Sequence, residues 1–211
     1  MAGWGARCEA FVRQLDGDAA HDVGHVRRVV RWAGTLATAE SADLGVVLPA
    51  AWLHDCVVLP KDSPDRARAS RLAAERATGW LRGEGFPTSM LPAVAHAIEA
   101  HSFSAGIAPR TTEARVVQDA DRLDALGAIG IARCYATAGT LGSRLVHPDD
   151  PVPGPESPRP LDDRRYATDH FAAKLLRLPE TMQTAAGRAE AERRAATIRA
   201  FLGELARETV A

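Results

Sequence analysis

The sequence predicts an all-α protein, built as one helical domain over residues 1–211, and three observations carry that reading. Alanine, the strongest helix former, supplies 41 of the 211 residues. Aromatic residues make up 5% and the Val, Ile, Thr and Tyr clusters that favour strands are few. Val26, Val29, Val30, Ala33, Leu36 and Ala37 recur at i, i+3, i+4 and i+7, the stripe of an amphipathic helix.

In chain order, a short helix is expected over 6–15, stopped by Asp16-Gly17-Asp18. The striped helix follows over 20–40. The apolar run 44–53 has the length of a buried helix or a buried strand, and its alanine-rich surroundings favour helix. Pro60 and Pro64 make 59–65 a loop. Further helices are expected over 65–83, 89–102 and 112–138, with Ser89 and Thr111 or Thr112 as N-terminal caps. The core is placed at about 18–140. Segment 147–160 holds six prolines and is expected to be irregular, a lid or binding loop. Two helices within 162–208 close the chain, over 162–178 and 185–208.

Composition excludes several function classes. The 26 basic and 27 acidic residues nearly cancel, to a net charge of −1, so neither nucleic acid nor an anionic membrane is an expected partner. No run of eighteen apolar residues occurs, and the N-terminal residues lack a signal-peptide layout. Cys8, Cys56 and Cys134 are isolated from one another, which fits a reducing cytoplasm and neither a disulfide framework nor a thiolate metal clip.

Chemistry concentrates in the histidines, five of which lie between positions 21 and 101. His54-Asp55 ends the apolar run 44–53, so both polar groups begin where the core ends. Burying a carboxylate beside an imidazole costs several kcal/mol unless something such as a metal offsets it. His25 lies at the edge of the Val26/Val29 stripe. Asp119 and Asp121 point roughly 200° apart on a helix, so one of the two faces a given site. Nitrogen and oxygen ligands from three helices suit Mn²⁺, Fe²⁺, Co²⁺, Ni²⁺ or Mg²⁺ and not a structural zinc. His96 and His101 are about 140° apart on one helix, placed to line a cleft. His21 and His25 have the spacing of a zinc-protease helix, but Asp22 stands where its glutamate would follow the first histidine.

His25-Val26-Arg27-Arg28-Val29, Leu53-His54-Asp55 and Asp119-Ala120-Asp121-Arg122-Leu123-Asp124-Ala125 together resemble the HD-domain superfamily of metal-dependent phosphohydrolases. Ile98-Glu99-Ala100-His101-Ser102-Phe103 and the stretch from His170 to Leu176 look like its bacterial nucleotide pyrophosphohydrolases. The resemblance spans roughly 18–205. It implies an all-helical fold with one divalent ion, Mn²⁺ or Mg²⁺ ahead of Fe²⁺, Co²⁺ or Ni²⁺, held by His25, His54, Asp55 and Asp121. His96 and His101 stand where some relatives place a second ion, and otherwise contact substrate phosphate. Against 24 arginines the chain has two lysines, Lys61 and Lys174, both beside these motifs and suited as compact charges to phosphate. Arg28 and Arg122 can share that task, with His21 and His170 as further substrate contacts. The function so implied is hydrolysis of a (deoxy)nucleoside triphosphate to monophosphate and pyrophosphate by a metal-activated water. The alternatives are a phosphomonoesterase or dinucleoside polyphosphate hydrolase with a second ion, and a non-catalytic nucleotide-binding module. A phosphorylated small molecule is the expected partner, and a homodimer is compatible with the class.

Overall fold

Segments rich in alanine and leucine with short polar breaks fold as helices, and no other regular element occurs among the described residues. A computed structural model describes residues 3–15, 23–57, 59, 65–102, 105–154 and 156–209. Its α-helices are α1 (Trp4–Gln14), α2 (Val23–Ala39), α3 (Leu44–Leu53), α4 (Ala69–Gly83), α5 (Leu91–His101), α6 (Thr112–Leu123), α7 (Gly127–Leu141), α8 (Ala167–Ala173) and α9 (Ala185–Thr209). One isolated bridge, Arg144 with Tyr166, is the β pairing among these residues. The all-α expectation holds.

The chain divides into two compact units, Met1–Asp121 with Gln183–Gly187, and Arg122–Met182 with Arg188–Ala211. In the first, α3 is the hub, touching α1, α2, α4 and α5. That role follows from LGVVLPAAWL, which has apolar side chains on every face, so that eight of its ten residues are buried. Asp43 starts the helix by accepting a 2.7 Å hydrogen bond from the Gly45 N–H. The stripe of α2 buries Val26, Val29, Ala33, Leu36 and Ala37 against this hub. In the second unit, Tyr135, Phe171 and Phe201 join α7, α8 and α9, with ring centroids 5.9–6.2 Å apart.

Two expected helices are divided. The span 112–138 breaks after Leu123: the chain turns through Asp124–Leu126, and Gly127 adopts φ +70° to start α7. Arg194 caps the break by donating to the Leu123 carbonyl. The span 162–178 is a turn held by the Asp162 carboxylate on the Arg164 and Arg165 N–H groups, then α8. Lys174 leaves helical geometry at φ −136°, and a 3₁₀ stretch, Leu175–Thr181, follows. Helices α4 and α5 begin with 3₁₀ turns at Arg66–Arg68 and Thr88–Met90. The proline-rich segment is irregular as expected, yet fastened. Arg159 forks onto the buried Asp169 carboxylate with two 2.7 Å bonds and also donates to the Asp150 carbonyl.

Candidate metal centre

Four helices of the first unit bring five side chains together. α3 ends at Leu53 and hands His54 and Asp55 to the centre of its own packing. α2 contributes His25 from the start of its buried stripe, α5 contributes its last residue His101, and α6 contributes Asp121. His25 Nε2 lies 3.5 Å from Asp121 Oδ1 and 3.8 Å from Asp55 Oδ2. His54 Nε2 lies 3.5 Å from Asp55 Oδ2 and 3.8 Å from Asp121 Oδ1. The other Asp55 oxygen faces His101 Nε2 at 3.4 Å. The side chains of His25, His54 and His101 are 0–7% exposed, those of Asp55 and Asp121 about 30%. Imidazoles therefore wall the cluster, and it opens to solvent along its carboxylates.

The rings are oriented from behind. His54 Nδ1 lies 2.8 Å from the Ala51 carbonyl and His101 Nδ1 2.6 Å from that of Ile98. A carbonyl can only accept, so each Nδ1 carries the proton, and in the neutral ring the Nε2 lone pair faces the cluster. His54 Nε2 is buried and makes no hydrogen bond. The distances above lie at or beyond the long end of hydrogen bonding, about 2.7–3.2 Å for a good N–H···O bond. A buried lone pair such as that of His54 Nε2, with no hydrogen bond of its own and two carboxylates beside it, is suited to a cation. Two sets lie within ligating reach of one point each, His25 with His54 and Asp121, and His54 with Asp55 and His101. Nitrogen and oxygen donors without sulfur suit Mn²⁺, Fe²⁺, Co²⁺, Ni²⁺ or Mg²⁺.

Electrostatics agree with that arrangement at His54 and favour the charged ring at His101. Burial lowers the pKa of His54, outweighing the pull of Asp55, and keeps it neutral as a ligand must be. Burial alone would raise Asp55, but His54, His101 and His25 hold its carboxyl well below the usual range. His101 moves up: burial opposes this, and Asp55 and Asp121 outweigh it.

The remaining expected residues are distributed as follows. His96, on another face of α5, accepts a 3.0 Å bond from the Arg110 N–H. Arg28 is half-buried on α2, one turn after His25. In the second unit, Arg122 donates to the Thr181 carbonyl at 2.6 Å, His170 meets Asp163 at 2.9 Å, and Lys174 is exposed. His21 and Lys61 lie outside the described residues. Asp119 is buried, accepting from the Gln183 N–H, the Thr184 N–H and the Thr184 hydroxyl. Cys56 gives its S–H to the Ala73 carbonyl, and burial pushes its thiol up to about 12, the opposite of what an activated thiolate needs. Sequence reading missed Gln118, buried one turn before Asp121 on the same face of α6; the i, i+3 spacing was the available signal.

Residues 22–126 match the HD domain family model. The uncharacterized protein YpgQ of Bacillus subtilis (strain 168) is 34% identical over 197 residues, 92% of this chain and 86% of that protein. The crystal structure of B. subtilis YpgQ in complex with ADP superposes with a TM-score of 0.75 at 31% identity, covering 97% of this chain and 94% of that one. An HD-superfamily hydrolase from Bacillus thuringiensis does so equally, with a TM-score of 0.75 and 31% identity over 97% and 96%.

Proposed function

The chain belongs to the HD-domain family, and from that premise we propose that it is a metal-dependent phosphohydrolase acting on nucleotides, cleaving (deoxy)nucleoside triphosphates to monophosphate and pyrophosphate. The observation that carries the reading is His54 Nε2: a fully buried lone pair with no hydrogen bond, gathered with His25, Asp55 and Asp121. A divalent ion bound there would supply Lewis acidity, acidifying water and neutralising phosphoryl charge. The chain's own residues do the rest. His25, His54, Asp55 and Asp121 would hold the ion, with His54 set by the Ala51 carbonyl. The partly exposed carboxylate side is where water and substrate would approach, and Asp55 is assigned to orient an attacking water there. Arg28, Arg122, Lys61 and Lys174 are assigned to phosphate charge, and His21, His96, His101 and His170 to substrate contact. The ADP complex of YpgQ supports nucleotide as the substrate class.

A second reading, with two ions, draws on Asp55: one oxygen faces His25 and His54 and the other faces His101, so that His54, Asp55 and His101 would hold a second ion. It favours a phosphomonoesterase or dinucleoside polyphosphate hydrolase. Phosphorus NMR of products from Mn²⁺ and a mixture of (d)NTPs separates the readings. Pyrophosphate with monophosphate is the expected result; orthophosphate moves the attack to another phosphorus. Failure to turn over any nucleotide, with hydrolysis of monoesters instead, overturns the first reading in favour of the second.

A further inference from the structure

Gln118 sits on α6 one turn before Asp121 and is 3% exposed. Its Nε2 donates a 2.6 Å hydrogen bond to the carbonyl of Ala100, the residue before His101. Because that carbonyl accepts only, the amide is bound to present its NH₂ there, and Oε1 is left buried with no hydrogen-bond partner. An unpaired buried acceptor costs free energy that an apolar side chain of the same shape would not. Stability alone therefore does not account for an amide at this position.

The bond's location does. The last four carbonyls of α5, those of 98–101, have no partner within the helix. Two of them are taken by side chains of the site: Ile98 by the His101 ring and Ala100 by Gln118. The same few atoms thus define where α5 ends, how the His101 ring turns, and where α6 stands. His101 faces Asp55 from this turn, and Asp121 faces His25 from the other helix.

We propose that Gln118 is a positioning residue, whose amide bolts the end of α5 to α6 and so fixes His101 against Asp55 in register with Asp121. Its influence on turnover rests on the metal-hydrolase reading above; its influence on the His101 ring does not. The near-isosteric Gln118→Met removes the donor, and Gln118→Asn keeps it while shortening its reach. The first readout is the ring ¹H–¹³C spectrum of the metal-free protein, recorded well below Tm. The His101 cross-peak is expected to shift or broaden in Gln118→Met and, less, in Gln118→Asn, while those of His25 and His54 stay in place. A merely structural role lowers Tm and leaves all three rings alike, and that result overturns the proposal. The second readout is Mn²⁺ affinity; it rests on the two-ion reading, in which His101 joins His54 and Asp55 as a ligand, and is expected to weaken by about 10–100-fold in Gln118→Met, the usual effect of a residue that orients a ligand. In a His101→Ala background Gln118→Met is expected to add nothing further; full additivity of the two changes counts against the proposal. Wild-type protein that binds no Mn²⁺ defeats the metal-centre reading while the ring comparison still judges Gln118.

Discussion

Asp119 and Asp121 stand two positions apart, and the helix turns by roughly 200° between them, so one carboxylate meets His25 and His54 while the other meets the backbone of Gln183 and Thr184. Their variants should part company. Asp121→Asn is expected to lose bound metal, measured by elemental analysis, with Tm near wild type. Asp119→Asn is expected to keep the ring cluster and lose roughly 2 kcal/mol of stability in urea titration, because charge-assisted bonds to buried N–H groups are weakened. Asp55→Asn and His54→Ala should lose both metal and turnover; retained hydrolysis by metal-stripped Asp55→Asn would sink the assignment. Gly187 belongs to the same knot, since a Cβ there would lie 2.5 Å from Asp119 Oδ2 and 2.7 Å from the Thr184 hydroxyl oxygen. Gly187→Ala is therefore expected to cost about 1–3 kcal/mol by overpacking. Sequence reasoning left either aspartate open as a ligand, and only the family resemblance preferred Asp121. The structural task of Asp119 was not legible, because its partners lie more than sixty residues further on.

At the scale of the elements, α2 and α3 were legible because each has a pattern that speaks for itself: a clean stripe in one, unbroken apolarity in the other. The break between α6 and α7 was not. Val117, Leu123 and Leu126 continue a helical rhythm across it, and the stop depends on a positive φ at Gly127 and a cap from Arg194 on a distant helix. Gly130 keeps the break tight: a Cβ there would lie 2.2 Å from the Ala125 carbonyl oxygen. Alanine for glycine normally helps a helix by up to about 1 kcal/mol, but Gly130→Ala is expected to destabilise by roughly 2 kcal/mol, read as a fall in Tm. The proline-rich segment carries its own pH dependence. Burial would raise Asp169, but the Arg159 guanidinium and the Asp162 N–H hold its carboxyl below the ordinary value. A depressed folded pKa stabilises above the unfolded value and is lost as pH falls through the folded one. The stability gap between wild type and Asp169→Asn should be flat above about pH 5 and close from about pH 4 downward. A gap that widens on acidification would contradict the assignment.

For the molecule as a whole, among the described residues no helix is long and apolar enough to cross a membrane. The near balance of charge comes from a marked preference for arginine, 24 against two lysines. Some of these arginines fasten the backbone of distant segments, as Arg122 does with Thr181 and Arg194 with Leu123. Forked guanidinium donors suit that work better than a single ammonium. Composition could show the preference but not the destinations.

The first unit is not a continuous stretch of chain: it takes in Gln183–Gly187, whose backbone N–H groups hold Asp119. A fragment ending at Asp121 would therefore keep His25, His54, Asp55, His101 and Asp121 yet leave the Asp119 carboxylate buried without its donors. Dissection into independent domains is the wrong strategy for this protein. Splitting it is the better one, because a nick at the exposed Gly154 leaves each piece holding something the other needs to fold. Co-expressed halves should reassemble and, on the metal-centre reading, recover metal binding together, which would make the chain a two-fragment complementation reporter.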